Sequence, residues 1–412
     1  MANILIVGRG GYGDMFPMFA IARELGKRGH KVRIAAEKHH LDSLLHTGIE
    51  LIPTDTGTAG SFWRKAGLEA LVQSDIESEY GIILEPAKEA DIIIGNQLAY
   101  SGSIASRVLG KPWVFCAPSP LAIPSPAKPP VFPYLGWLQN LSGKHGLPKD
   151  ACLALVKGFS RLAMSSNIRL QRRLGIFDGR NPRFEGMYSD SLNLILASRL
   201  MVPALPDWPA NTVVTGHTWF DPEHFRDEIK IARLRNFLSS GPPPIVFAPG
   251  GGLRKNPLAF VRESLRACTL LKTRGIIVAA DRFHAGIPVS DQVLVTGYVP
   301  YAELLKGARA FVHSGGIGAL GWGAKFGIPS LAVPREWDQF DNALRAQRLG
   351  IGCILKASDC HGEKIADAVS NMVDNQSMKM RLREVAPEIS QERGEETACD
   401  EIEKLLGANR LA

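Results

Sequence analysis

The chain has 412 residues, 45% of them apolar and 22% charged, the make-up of a folded protein of two or three domains and not of a disordered chain. Six scattered cysteines with no C-x-x-C pair argue against a disulfide framework or a zinc ribbon. A net charge of +7 without interleaved aromatic and basic motifs gives no reason to expect nucleic acid, and no run approaches the roughly 18 uncharged apolar residues of a membrane span.

The N-terminal apolar run, residues 3–7, is too short for a signal peptide and reads as a strand, so the cytoplasm is the expected compartment. A helix is predicted over 15–27, stopped at Arg28-Gly29, then strands at 31–35 and 49–52 with a helix near 41–45 between them. His39 and His40 open that helix and read as surface residues. Strands follow at 91–95 and 113–116, separated by a helix at 101–109. Strand–helix–strand repetition of this kind implies a parallel sheet covered on both faces.

Residues 117–133 hold seven prolines and can be neither helix nor central strand. From Lys144 to Arg183 nine Lys/Arg stand against two acids, with Leu153, Leu155, Val156, Phe159, Leu162, Met164, Ile168 and Leu170 interspersed. That pattern predicts a basic amphipathic helix, either a solvated face or a surface for anionic lipid, as in a peripheral contact with the inner membrane face, or for another anionic ligand. A strand at 192–196 and a Pro-punctuated run to 212–215 lead into a domain connection near 215–223. Alternation then restarts: strands at 244–247, 276–279, 293–295, 310–312 and near 329–333, with helices at 257–272, 316–326 and 339–349. The last forty residues read as helical. Two such domains in tandem bring their strand C-termini to a shared cleft.

Three loops carry candidate chemistry. Gly8-Arg9-Gly10-Gly11-Tyr12-Gly13-Asp14 follows the first strand, but its glycines miss the G-x-G-x-x-G spacing of dinucleotide sites. Asp14 is either a helix N-cap or a general base facing the cleft. His313-Ser314-Gly315-Gly316-Ile317-Gly318 joins a strand to a helix start, where backbone amides form an anion site. Trp337-Asp338-Gln339 sits at a strand-to-helix junction and offers the mixed donors and acceptors that sugar hydroxyls require. His217, near the connection, is either structural or a cleft residue. Trp63, Trp113, Trp137 and Trp219 read as core or pocket wall. No Asp-x-Asp motif appears, and no metal is expected.

His313-Ser-Gly-Gly-Ile-Gly, Gly327-Ile-Pro, Pro334, Asp338-Gln339, Asn342-Ala343 and Gly350-Ile-Gly352 together resemble the donor-binding signature of glycosyltransferase family 1. Gly13-Asp14-Met-Phe-Pro17 resembles the opening of its bacterial and sterol branches, the rhamnosyltransferases of rhamnolipid synthesis being the nearest in style. The resemblance covers nearly the whole chain. It implies an α/β protein of GT-B architecture, two Rossmann-like doubly wound parallel-sheet domains facing a cleft. Residues 1–215 would bind the acceptor, 216–390 the nucleotide sugar, and 391–412 would pack back toward the first domain. It also implies inverting transfer of a hexose or deoxyhexose from a UDP- or dTDP-sugar to a hydroxyl of an apolar or amphipathic acceptor, with no further cofactor.

By matched position, Asp14 would be the base, and Gly316, Ile317 and Gly318 the diphosphate-binding helix start. Asp338 and Gln339 would bind the sugar, Tyr298 and Val299 the nucleotide base, and Gly251 the phosphate side. Departures from the pattern stand at Ser314, in place of a phosphate-binding histidine, and at Trp322, in place of a ribose-binding glutamate. His313 comes one position early, and Arg254 or Lys255 offers compensating charge. The acceptor pocket is expected from residues 54–80 and the proline-rich stretch, with Phe132, Tyr134, Leu135, Trp137 and Leu138. The alternatives are a GT-B epimerase acting on the nucleotide sugar and a degenerate nucleotide-binding helper.

Overall fold

A computed structural model describes residues 1–45, 47–54, 75–128, 130–131, 149–223, 226–250, 257–281 and 291–411. Strand β1 (Asn3–Val7) is apolar without alternation because helices cover both its faces. It pairs in parallel with β2 (Lys31–Ala36) and with β4 (Ile92–Asn96). With β3 (Glu50–Pro53), β5 (Trp113–Ala117), β6 (Leu192–Ile195) and β7 (Thr212–Val214) they form one parallel sheet in the order β3-β2-β1-β4-β5-β6-β7. A second sheet has the order β10-β9-β8-β11-β12-β13, from β8 (Ile245–Ala248), β9 (Gly275–Val278), β10 (Val293–Thr296), β11 (Ala310–His313), β12 (Ser330–Ala332) and β13 (Gly352–Ile354).

In both sheets the order reverses beside the first strand, between β1 and β4 and between β8 and β11. Loops at the C-terminal ends of these strands diverge there and leave a crevice. Residues 8–14 and 97–99 therefore line one wall of the cleft, and residues 249–250 and 314–316 the other.

The helices are α1 (Tyr12–Lys27), α2 (Ile76–Glu89), α3 (Tyr100–Leu109), α4 (Lys149–Ala163), α5 (Ser165–Arg173), α6 (Glu228–Ser239) and α7 (Pro257–Leu271). After them come the short α8 (Tyr301–Leu304), then α9 (Ile317–Lys325), α10 (Gln339–Leu349), α11 (Gly362–Asp374), α12 (Gln376–Gln391) and α13 (Gly394–Leu411). The chain crosses between the sheets twice. After the second crossing α13 buries Ala398, Cys399, Ile402 and Leu406 in the same core as Phe19, Ala22 and Leu25 of α1. Arg28 ties that contact with ion pairs to Asp400 and Glu403. One carboxylate joins the two crossings: Glu392 accepts from His217 N at 2.9 Å and from the Ser198 hydroxyl at 2.9 Å.

Some elements differ from the sequence reading. The predicted basic helix is two helices broken at Met164, whose backbone leaves the helical region (φ −89°, ψ 21°). Met164, Ile168 and Leu170 are buried, whereas Leu155, Phe159 and Leu162 face outward. Several of the cations are spent locally, Lys157 on Glu185 and Arg173 on Glu77. The helix near 41–45 is a 3-10 helix, Lys38–Leu44. His40 within it is fully buried and not at the surface. Among the described residues no helix is long and apolar enough to cross a membrane.

Candidate active site

The first wall is built on a glycine loop. Gly10 has φ +112°, and a Cβ there would stand 2.5 Å from Asp14 Oδ2, so only glycine lets the chain turn this tightly over the carboxylate. The loop is pinned from three sides. Asn96 Nδ2 donates to Arg9 O at 2.9 Å, Gly10 N donates to Glu37 Oε2 at 3.2 Å, and His40 Nε2 lies 3.0 Å from Gly10 O. Among the described residues Glu37, His39 and His40 bring ligand-type atoms within 4.8 Å of one another, the kind of group that could hold a metal. Two of its three members already support the Gly10 peptide.

Asp14 is the third residue of α1, not its N-cap, which is Gly11. Its Oδ2 accepts the Gly11 N–H at 3.0 Å, reaching back as capping-box acids do. Its Oδ1 accepts from Gln97 Nε2 at 2.7 Å. Gln97 lies just past β4, and the far end of its amide, Oε1, is buried with no partner among the described residues. Among the described residues Asp14 alone therefore orients that amide.

The Asp14 pKa is pushed up to about 7 from an ordinary 3.8, first by burial and then by the negative charge of Asp338. The bonds from Gly11 and Gln97 pull the other way, and Glu37 adds a smaller upward push. A carboxyl whose folded pKa is raised binds its proton more tightly in the folded chain. The stability it contributes is complete below the unfolded pKa and is lost as pH rises through about 7. Asp14→Asn should therefore raise the melting temperature at about pH 8, with the gain vanishing below about pH 4. A lower melting temperature for the variant at the higher pH would contradict this electrostatic account.

The second wall starts at β11. Gly315 has φ +88°, and a Cβ would press within 3.0 Å of the Gln339 carbonyl, so the turn lies against the start of α10. Gly316 is the N-cap of α9. A side chain at Gly316 or Gly318 would meet nothing within 4 Å, so the space before the first amides of α9 is open. Those amides have no intrahelical acceptor and suit a phosphate. The Ser314 hydroxyl stands beside Gly250, where a Cβ would come within 2.9 Å of it.

Trp337 takes the left-handed conformation (φ +51°), a strained state for a bulky side chain that clusters at ligand sites. It precedes Asp338 and Gln339, which are half-buried at the start of α10. Gln339 Oε1 accepts from Arg335 N at 2.9 Å and Glu336 N at 3.1 Å, which folds the loop over the helix start. Asp338 Oδ2 accepts from Asn342 Nδ2 at 2.7 Å. Burial pushes the Asp338 pKa up, against the pull of the Asn342 and Ser119 hydrogen bonds.

Other predicted residues have structural work. His313 is buried, stacks on Phe311 and accepts the Gly315 N–H on Nδ1 at 3.0 Å. Burial pushes its pKa down to about 3, so the ring is neutral at physiological pH. His217 is likewise neutral, its pKa pushed down to about 3 by burial and by Lys325, and its ring packs on Gly321 and Trp219. Trp322 is buried against Trp219 and Phe326, with Lys325 over its face. The Val299 side chain is in the core, which leaves its backbone to meet a ligand, and Tyr298 is half-buried beside Tyr301. Gly13, in the first turn of α1, has open space where a side chain would go.

Gly251, Arg254 and Lys255 lie outside the described residues, as do Phe132, Tyr134, Leu135, Trp137, Leu138 and most of 54–80. A separate hollow of about 640 Å³, walled by Arg23, Lys31, Ile49 and Phe220 among others, lies at the N-terminal ends of β2 and β3, away from this chemistry. Sequence reasoning missed Gln97 and Ser119. The position of Gln97 just after β4 was a usable signal once β1 and β4 were known to flank the crevice.

Two parallel doubly wound sheets bring a bare helix start on one wall and the half-buried Asp14 carboxylate on the other to one cleft, an arrangement suited to an anionic ligand. Comparison with known proteins makes the class specific. Residues 4–116 match the glycosyltransferase family 28 N-terminal domain, and residues 274–407 match the C-terminal domain of erythromycin biosynthesis protein CIII-like proteins. O-mycaminosyltylonolide 6-deoxyallosyltransferase of Streptomyces fradiae is 24% identical over 98% of this chain and 97% of its own. The solved glycotransferase of kitacinnamycin superposes with a TM-score of 0.73 at 19% identity, covering 98% of each chain. Glycosyltransferase VinC, solved with dTDP, superposes with a TM-score of 0.64 at 17% identity over 97% of this chain and 98% of its own. Together these matches support a family 1 glycosyltransferase of GT-B architecture, and the chain is a nucleotide-sugar glycosyltransferase of the natural-product type.

Proposed function

We propose that this enzyme moves a hexose or deoxyhexose from a dTDP- or UDP-sugar to a hydroxyl of an apolar or amphipathic small molecule, with inversion at the anomeric carbon. The observation that carries the reading is the pair Asp14 and Asp338, one from each wall, close enough that the charge of one raises the pKa of the other. The Streptomyces fradiae relative is named for transfer of a 6-deoxyallosyl group to O-mycaminosyltylonolide, and VinC was solved with dTDP. The first name supports a deoxysugar and the second a thymidine nucleotide.

The acceptor hydroxyl is far less acidic than any carboxylic acid, so Asp14 does not remove its proton beforehand. The oxygen–C1 bond forms as the proton passes to Asp14. The bond from C1 to the phosphate oxygen breaks on the opposite face, and the nucleoside diphosphate leaves with the bonding pair. Its developing charge is met by the helix-start amides around Ile317 and Gly318 and by Ser314, groups that need no reorganisation. Asp338 and Gln339 hold the sugar hydroxyls.

Melting of the full chain with saturating dTDP, UDP, GDP or ADP tests the donor site. A ligand at about 100 times its Kd adds roughly 2.7 kcal/mol to folding stability. The reading expects a selective upward shift with dTDP or UDP. No shift with any nucleotide would contradict a donor site in this cleft.

A further inference from the structure

The Asp338 carboxylate is held by groups from both domains, and the far partner lies 223 residues away along the chain from the near one. Ser119 stands two residues past β5, on the first domain, and is only 7% exposed. Its single hydroxyl proton is donated to Asn342 Oδ1 at 3.2 Å, with the Asp338 carboxylate as the alternative acceptor within reach. Asn342, in the first turn of α10 and 0% exposed, donates its Nδ2 to Asp338 Oδ2 at 2.7 Å. A second bond reinforces the seam: Val131 N, at the end of the proline-rich stretch, donates to Asp341 Oδ1 at 3.2 Å, and Arg345 Nε holds the other oxygen of Asp341 at 2.6 Å.

The chemistry of an amide gives this arrangement a direction. Asp338, an acceptor, requires the nitrogen end of Asn342. The oxygen end is then buried and needs a donor, and the Ser119 hydroxyl supplies it. Without that hydroxyl the Asn342 oxygen is an unpaired buried acceptor, and the amide is free to turn away from Asp338. By contrast, the amides that suit the diphosphate belong to Gly316–Gly318, and among the described residues no hydrogen bond joins them to the first domain.

We propose that Ser119 is a positioning residue that orients the Asp338 carboxylate through Asn342, so that recognition of the donor sugar is completed by the acceptor-side domain. The nucleotide then binds to the second domain alone, while the sugar is gripped only when the two domains meet at this seam. The proposal rests on the reading of Asp338 as a sugar ligand given above.

The test is calorimetric, on the full chain, with dTDP and dTDP-glucose or with UDP and UDP-glucose, whichever pair binds. The quantity read is the ratio of the sugar-nucleotide Kd to the free-nucleotide Kd. Ser119→Ala should raise that ratio about tenfold or more, because one unpaired buried acceptor costs enough for that factor. The free-nucleotide Kd should stay within about twofold. Ser119→Thr, which keeps the hydroxyl, should restore the native ratio. Asn342→Asp, of the same size but without the donor, should reproduce the selective loss.

An unchanged ratio in Ser119→Ala, equal weakening of both ligands, or a threonine variant as impaired as the alanine one would overturn the proposal. Asp338→Ala separates this from the wider reading. If it raises the ratio and Ser119→Ala does not, the seam plays no part in sugar binding. If it leaves the ratio untouched, Asp338 is not a sugar ligand and both fall.

Discussion

Replacing Asp14 by asparagine should lower kcat by roughly 10²–10⁴ while leaving nucleotide affinity unchanged. Asparagine keeps the size of the side chain, and its oxygen can still accept from Gly11 N–H or from Gln97 Nε2, the two donors that hold the carboxylate in place. What it cannot do is take the proton of the acceptor hydroxyl. The proposed nucleotide site is on the other wall, at Ser314 and the start of α9, so dTDP or UDP should titrate as before. Turnover equal to that of the unaltered enzyme would remove Asp14 from the mechanism. Loss of nucleotide binding would mean that the substitution disturbs the cleft as a whole.

Asp338→Asn is the second large effect, and it has two separable parts. Removing a charged acceptor from sugar hydroxyls costs about 1.5–3 kcal/mol, or roughly 10–10² in kcat/KM. The pH dependence of what remains should also move. Asp338 is the largest charge effect raising the Asp14 pKa, so without it the acid limb should shift to lower pH. It should stop short of the ordinary carboxylate value, because burial is the leading cause and is untouched. The profile of the variant at saturating donor checks this. A limb that stays in place or moves upward would mean that the two carboxylates do not interact.

Much of this cleft was legible in the chain because it is written in local terms. Residues 4–7 form an uninterrupted apolar run followed by glycines, and Gly315-Gly316 introduces a helix after another such run. Each is a strand-to-helix turn that needs small residues where it stands. Asp338 and Gln339 were found as a pair because they open α10 together. Of the two readings of Asp14, the N-cap falls three positions from its place as the third residue of α1, since cap and N3 acids differ in backbone angles that composition does not carry.

What was missed is tertiary. Gln97 meets Asp14 across 83 residues and Ser119 meets Asn342 across 223, and nothing near either residue in the chain announces its partner. A histidine pair at a helix start reads as polar, which predicts a surface position for His40. In the fold it is buried by Tyr12 and Phe19 and turned toward Gly10 O. Helix α2 carries its apolar residues Ile76, Tyr80, Ile83 and Ala87 at helical spacing, a pattern masked by reading residues 54–80 as pocket wall. The break at Met164 has no glycine or proline to mark it. Strand β13, three residues long, is too short for periodicity to find.

The most direct test of the account is the pH dependence of kcat/KM for sugar transfer, measured side by side on the unaltered enzyme and on Asp14→Asn. Burial and the facing Asp338 hold the Asp14 pKa at about 7, so activity should rise with pH through that value in the native enzyme. The limb should be absent from the residual activity of the variant. A native profile already flat above about pH 5, or the same limb in both proteins, would show that Asp14 is not the base.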